Sequence, residues 1–301
     1  MGPLSARARC GLSPRSSGPP TAARLRTCTR CILLIELSVE TIILTFCSSS
    51  ISPLDPLLLI MASVSEIGAD LFRLSIYVSD LDLQFNHFLV RDEQPLLFHA
   101  GLKGMNLELR EAIETLIDLQ DLRYVAWSHF ESDEIGGLNQ WLERAPNAEP
   151  VCSFVGKVVS VDDYALRPAR GMNSDDLLST GRYRFRFYPT PHLPHGWDAG
   201  MMFEETQKTL FCSDLLHQFG DVSPLTTEDL IGPAVMAMSQ MQQSPLASYM
   251  PYTADTKRML SGLAKLRPQT LAIMHGSAYS GDCEKIIDDF AVAMKDVYAA
   301  A

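Results

Sequence analysis

Three short apolar runs, Leu71 to Val78, Phe85 to Val90 and Pro95 to Phe98, follow one another with polar turns between them. Their aliphatic and aromatic content predicts an opening antiparallel meander. The period then changes: from Asn106, a residue suited to an N-cap, Leu109, Ile113, Leu116 and Ile117 fall at i, i+4, i+7 and i+8, one face of a helix. Tyr124 to Trp127 reads as a buried strand. Leu138, Trp141 and Leu142 mark a second amphipathic helix that ends before Pro146. Arg182 to Tyr188 alternates arginine with Tyr183, Phe185 and Phe187, a period of two that runs into Pro189-Thr190-Pro191. Met201 to Glu205 and Thr209 to Cys212 predict two more strands, Thr226 to Met241 and Thr256 to Leu266 helices, and Leu271 to Met274 another strand. A last helix, Cys283 to Tyr298, carries Ile286, Ile287, Phe290, Met294 and Val297 on its apolar side. Strand groups with helices on both sides predict an α/β fold, a four-layer sandwich over residues 65–301, with no repeat or internal linker.

Charge divides the chain unevenly. Residues 1–60 hold six arginines against Glu36, Glu40 and Asp55, a net of +3, and the whole chain carries −11, so the rest carries −14. An acidic body argues against nucleic acid. Residues 1–30 are rich in Arg, Ser, Pro and Gly without an acid, as in a transit peptide, and residues 1–64 read as a leader outside the working domain. Met61 would also serve as a start. The apolar stretch Cys31 to Cys47 contains Glu36 and Glu40 and is a poor membrane span, so no transmembrane helix is expected. The expected address is cytoplasmic, with organelle import through residues 1–60 as the alternative. Four of the seven cysteines lie in that leader, and Cys28-Thr-Arg-Cys31 has no second pair or nearby histidine to complete a zinc site.

The chemistry gathers at strand ends. Ser128 to Glu134 strings His129, Glu131, Asp133 and Glu134 along one turn. Thr190 to His195 closes a strand with His192 and His195, Cys212-Ser-Asp214 ends another, and Met274-His275-Gly276 a third. Sites on α/β sheets form at such places. Carboxylates mixed with imidazole suit iron or manganese better than a thiol-rich zinc site does. Four carboxylates, if all ligate, would balance two divalent cations.

This pattern resembles the metallo-β-lactamase superfamily and, within it, the oxygen-binding diiron domain of flavodiiron proteins. That domain carries His-x-Glu-x-Asp-His followed by His, Asp and His. Here the order is His129-Phe-Glu131-Ser-Asp133-Glu134, then His195, Asp214 and His275, with 60, 18 and 60 residues intervening. The resemblance implies an αββα sandwich holding two irons. His129, Glu131 and His195 would hold one, Asp133 and His275 the other, and Asp214 would bridge, with Asp133 and Asp214 taking the catalytic roles. Glu134 stands where the family has histidine; it ligates through its carboxylate or only hydrogen-bonds. His195-Gly-Trp-Asp198 is similar to the family's His-x-x-Asp, which favours His195 over His192.

Function follows as an expectation. The resemblance implies a ferrous site, with zinc or manganese as alternative metals, that binds or reduces O2 or NO. The chain runs 26 residues beyond His275, so no flavodoxin-like domain and no bound flavin are expected, and electrons would come from a separate partner. Members commonly form homodimers. The alternative is a dinuclear metal-dependent hydrolase of esters, thioesters or lactams, the commonest chemistry of the superfamily. Among other candidates, Cys212 reads as a small core residue. His99 reads as a satisfied interior histidine, and His217 as a neighbour of the ligands or a solvated position. Gly136 and Gly137 fit close helix packing.

Overall fold

The chain is described by a computed structural model over residues 61–298. The leader expectation, with Cys10, Cys28, Cys31 and Cys47, lies outside the described residues up to position 60. The boundary drawn at residue 64 falls inside the first strand, β1 (Ser63–Gly68).

Two seven-stranded sheets form the centre. The first runs in chain order through β1, β2 (Leu71–Val78), β3 (Leu83–Val90), β4 (Leu96–Phe98), β5 (Tyr124–Ala126), β6 (Glu149–Ser153) and β7 (Arg170–Met172). Its first four strands pair antiparallel, the expected meander, and β4 to β7 pair parallel. The second contains β8 (Leu177–Ser179), β9 (Arg184–Pro189), β10 (Gly200–Glu204), β11 (Thr209–Ser213), β12 (Leu225–Thr226), β13 (Thr270–Ile273) and β14 (Ala278–Ser280), in the order β12-β14-β13-β11-β10-β9-β8.

Alternation along the strands sorts side chains into separate apolar layers. Phe88, Tyr124, Ala126, Phe185, Phe187, Met202 and Phe211 pack together between the sheets. Their neighbours point the other way. Leu89, Val125 and Trp127 meet α1 (Asn106–Glu114), α2 (Ser132–Ile135) and α3 (Leu138–Arg144) through Leu109, Ile113, Ile135, Leu138 and Trp141. Met201, Leu210 and Cys212 meet α4 (Ile231–Gln242), α5 (Thr256–Ala264) and α6 (Cys283–Tyr298). The result is the αββα sandwich expected. Each large apolar side chain wholly buried in these layers contributes roughly 1.5–3 kcal/mol.

Two expectations are corrected. Asn106 does not cap α1: Met105 precedes the helix without a side-chain cap bond, and Asn106 is the buried first residue. The helix expected from Thr226 starts at Ile231, because Leu225 and Thr226 pair with β14 and Asp229 accepts from the backbone N–H groups of Ile231 and Gly232. Leu116 and Ile117 lie beyond the end of α1 but still pack on its layer.

Topology brings the chemistry together. β9 and β11 are both antiparallel to β10, and β11 is parallel to β13, so all three end at one edge of the second sheet. Asp214 follows β11, His275 follows β13, and His195 lies in the loop after β9. The end of β5 delivers His129 from the first sheet. A backbone bond from Gly200 N to Ser128 O (3.0 Å) ties the two edges.

Candidate metal centre

Past the end of β5 the backbone enters an extended turn, and Glu131, with φ −133° and ψ 156°, precedes the single turn of α2. His129, Glu131 and Asp133 point toward the strand ends of the second sheet. The packing behind them is tight: Gly137 N donates to Gly101 O at 2.7 Å, and a Cβ on Gly137 would sit 2.7 Å from Ala100 O. That is the close approach expected of this glycine pair.

Two donor groups result. His129, Glu131, His195 and Asp214 each place one donor atom within 4.8 Å of all the others, and Asp133, Asp214 and His275 do the same. In the first, His129 Nε2 and His195 Nε2 stand 2.9 and 2.6 Å from Glu131 Oε2, and His129 Nε2 is 3.6 Å from Asp214 Oδ2. In the second, His275 Nε2 stands 3.2 Å from Asp133 Oδ2 and 3.4 Å from Asp214 Oδ1. Asp214 therefore offers one oxygen to each group.

The donors fit metal ions. Both Asp214 oxygens and Asp133 Oδ1 are buried and accept no hydrogen bond. An anionic acceptor left this way is strongly disfavoured unless a cation faces it. Two of the histidines are oriented for ligation through Nε2: His275 Nδ1–H donates to Gln84 O (2.8 Å) and His129 Nδ1–H to Ser128 Oγ (2.8 Å). Such bonds fix the ring and the tautomer.

Electrostatics say the same. Burial disfavours the His275 imidazolium, but Asp133 and Asp214 outweigh it and raise its pKa to about 10. His129 behaves likewise: burial opposes its charge, and Glu134, Glu131 and Asp214 nevertheless raise it well above the ordinary range. Bonds from His129 and His195 lower Glu131 to about 2. Asp214, which burial alone would raise, is held far below the carboxylate range by His275, His129 and His195. Asp133 is raised, by burial and then by the charge of Asp214, against the bond from His275. A metal ion in each group would take over from these protons as the counter-charge.

Glu134 is not brought to either group. Its carboxylate turns back beneath β5 and is wholly buried. Oε2 accepts from the backbone N–H of Ser128 (2.6 Å) and His129 (3.0 Å), and Oε1 accepts from Ser128 Oγ (2.8 Å) and Ser213 Oγ (2.6 Å). Four donors leave its oxygens committed, which is the physical reason the residue counted among the ligands on sequence stands apart. Burial would raise its pKa, but His129 and His99 hold it well below the usual range.

The other candidates are also placed. His192 is exposed, with φ 65°, whereas His195 joins the first group. Asp198 accepts from Phe130 N (3.0 Å) and steadies the turn. His99 is buried, held by Asn86 O at 3.1 Å, and faces Glu134 at 3.5 Å. Cys212 is a core residue whose thiol burial pushes well up. His217 is buried beside His275, and burial pushes its pKa down to about 3.

Four contributors went unread in the sequence. Tyr249 lays its ring 4.6 Å from His195, and burial together with Asp214, Glu131 and Asp133 raises its pKa well above the usual value. Ser213 adopts φ 53° just before Asp214 and bonds Glu134. Asn86 donates to Ile273 O (2.9 Å) and Gly276 O (2.7 Å), bracing the His275 turn, and buried Arg73 adds a bond to Gly276 O (3.0 Å). A polar Asn or Arg within an otherwise apolar strand was the only available sign.

An αββα sandwich with a carboxylate-and-imidazole pair of donor groups at its sheet edges, each able to hold a metal ion, defines a metallo-β-lactamase-fold protein. The family described as "ODP family beta lactamase" matches residues 83–276, and the chain belongs to that family. The chain is 24% identical over 213 residues to rubredoxin-oxygen oxidoreductase of Megalodesulfovibrio gigas, covering 68% of this chain and 51% of that protein. It is 25% identical over 138 residues to the anaerobic nitric oxide reductase flavorubredoxin of Salmonella arizonae, covering 44% of this chain and 28% of that one. The chain thus spans about half, or less, of the length of these relatives. The solved structure of rubredoxin oxygen:oxidoreductase from Desulfovibrio gigas superposes with a TM-score of 0.67 at 20% identity, over 78% of this chain and 62% of that chain.

Proposed function

We propose that this chain is a dinuclear non-heme iron protein that binds O2 or NO and reduces it with electrons from a separate redox partner. The observation that carries the reading is Asp214, a buried carboxylate whose two hydrogen-bond-free oxygens face two donor groups. His129, Glu131, His195 and Asp214 would hold one iron, and Asp133, Asp214 and His275 the other. The kinship with an oxygen oxidoreductase and a nitric oxide reductase supports the choice of substrate.

Iron held there would supply the redox chemistry that reduction of a diatomic gas needs. The chain's own groups set the conditions. Three carboxylates among three imidazoles make an electron-rich donor set that favours higher oxidation states. Glu134, Ser128 and Ser213 lock the His129 ring. Burial, and then the charge of Asp214, raise the Tyr249 pKa well above the ordinary value and keep its phenol protonated beside that carboxylate. Phe85 packs its ring edge-on against His275 at 5.2 Å and limits water behind the second position.

The test is a single turnover. Protein loaded anaerobically with two Fe(II) per chain should consume O2 without an added donor, and the zinc-loaded protein should not. Iron-loaded protein that leaves O2 and NO untouched would overturn the reading.

A further inference from the structure

We propose that His217 is a protein ligand of the second metal position, filling the place that residue 134 leaves open. The assignment rests on the dinuclear reading. The first position has four donors and the second only three, because Glu134 is committed to Ser128, His129 and Ser213. His217 is the buried group beside that gap.

Its surroundings point to a missing partner. His217 is 2% exposed, and neither ring nitrogen has a hydrogen-bond partner. The interior histidines His87, His99, His129 and His275 each satisfy Nδ1, at 3.1, 3.1, 2.8 and 2.8 Å. A buried polar group left unpaired costs about 1–3 kcal/mol, and this ring holds two nitrogens in that state. Besides His275, its aromatic neighbours are Phe219 (5.0 Å between ring centres) and Tyr249 (6.4 Å), which present rings rather than an acceptor.

The backbone holds the ring next to His275. Leu216, with φ 61°, turns the chain back two residues after Asp214, an uncommon conformation for a branched side chain. Gln218 N then donates to His275 O at 2.9 Å. Gly276, at φ 117°, lets the Gln218 side chain pack where a Cβ would come within 2.7 Å of it. His217 and His275 consequently lie side by side with ring centres 4.8 Å apart and planes tilted by 40°. Two imidazoles bound to one metal through nitrogens about 2.1 Å away set their ring centres roughly 5 Å apart. In the first position His129 and His195 show 4.2 Å. His217 lies outside the three-residue group whose donor atoms fall within 4.8 Å of one another, so metal uptake draws its imidazole inward.

Two measurements test this on the full chain. In zinc-loaded protein labelled with 15N-histidine, long-range proton–nitrogen correlation should count four metal-bound imidazoles, His129, His195, His217 and His275; a count of three overturns the assignment. In a Co(II) titration, wild type should bind two ions, and His217→Phe, which keeps a ring in the packing, should bind one normally and the second at least about 100-fold more weakly, the top of the range for lost supporting groups. Equal binding by His217→Phe overturns the assignment alone. A wild type that takes fewer than two ions overturns the dinuclear reading and the assignment with it. The imidazole count on wild type decides the matter even where the variant does not fold.

Discussion

The first donor group opens toward solvent and the second is sunk in the protein. Glu131 and His195 keep 44% and 18% of their side-chain surface exposed, whereas Asp133 and His275 keep 12% and 4%. The first gathers a complete set of four residues around one oxygen of Asp214; the second has three around the other. The asymmetry traces to one position. At residue 134 the chain places a carboxylate beneath β5, where it holds His129 from behind and stands outside both donor groups. One position gains rigidity and the other loses a donor.

The sharpest way to break this comparison is to remove what the positions share. Asp214→Ala should take metal content from two ions per chain to none, as read by elemental analysis after gel filtration. Removing an unshared donor should separate them: Glu131→Ala loses the first ion and keeps the second, and His275→Ala does the reverse. Loss of both ions from either variant would mean that the positions are not independent beyond Asp214.

Next in size is Glu134→Gln. The amide places an NH2 where Ser128 N, His129 N and two hydroxyls all donate, so some donors lose their acceptor, at about 1–3 kcal/mol of folding stability. Metal affinity should fall about 10-fold at the first position, through His129, and stay unchanged at the second. Calorimetry with a Co(II) titration checks both, and an effect confined to the second position would show that Glu134 ligates after all.

Proton linkage gives a subtler contrast. In metal-free protein His275 has its pKa raised from 6.5 to about 10, so the stability this proton brings is fully present below about 6.5 and is lost as pH rises through about 10. Metal displaces the proton, so binding at pH 7 should release it and the apparent affinity of the second position should rise with pH up to about 10. Thermal melts of metal-free and loaded protein between pH 7 and 10 test the sign: the metal-free form should weaken while the loaded form holds. The smallest effect is expected from Arg258→Ala, which removes an exposed ion pair to Asp255 outside both donor groups. It should leave metal content unchanged and barely move the melting midpoint.

Much of the gathering of side chains was legible in sequence, because residue types able to hold a metal stand at strand ends. His129, Glu131, Asp133, His195, Asp214 and His275 could be named before any coordinates, and the period-two run at Tyr183, Phe185 and Phe187 announced a strand facing the inter-sheet core. Direction was harder to read. Sequence places Glu134 next to Asp133 but cannot say that one turn of helix sends its carboxylate beneath β5 rather than into the metal groups. Strands of two or three residues, such as β7, β8, β12 and β14, are too short to show a period, and the residues before α4 passed for helix because their turn is held by a side chain, Asp229. Tyr249 was missed for a related reason: a distant loop carries no sign of where it folds back.

The most direct measurement is elemental analysis of protein purified without oxygen, followed by an absorption spectrum before and after air is admitted. Two irons per chain, with a new near-ultraviolet band once oxygen enters, is the expected result. Two zincs per chain and an unchanged spectrum would contradict the diiron reading and leave a dinuclear site built for other chemistry.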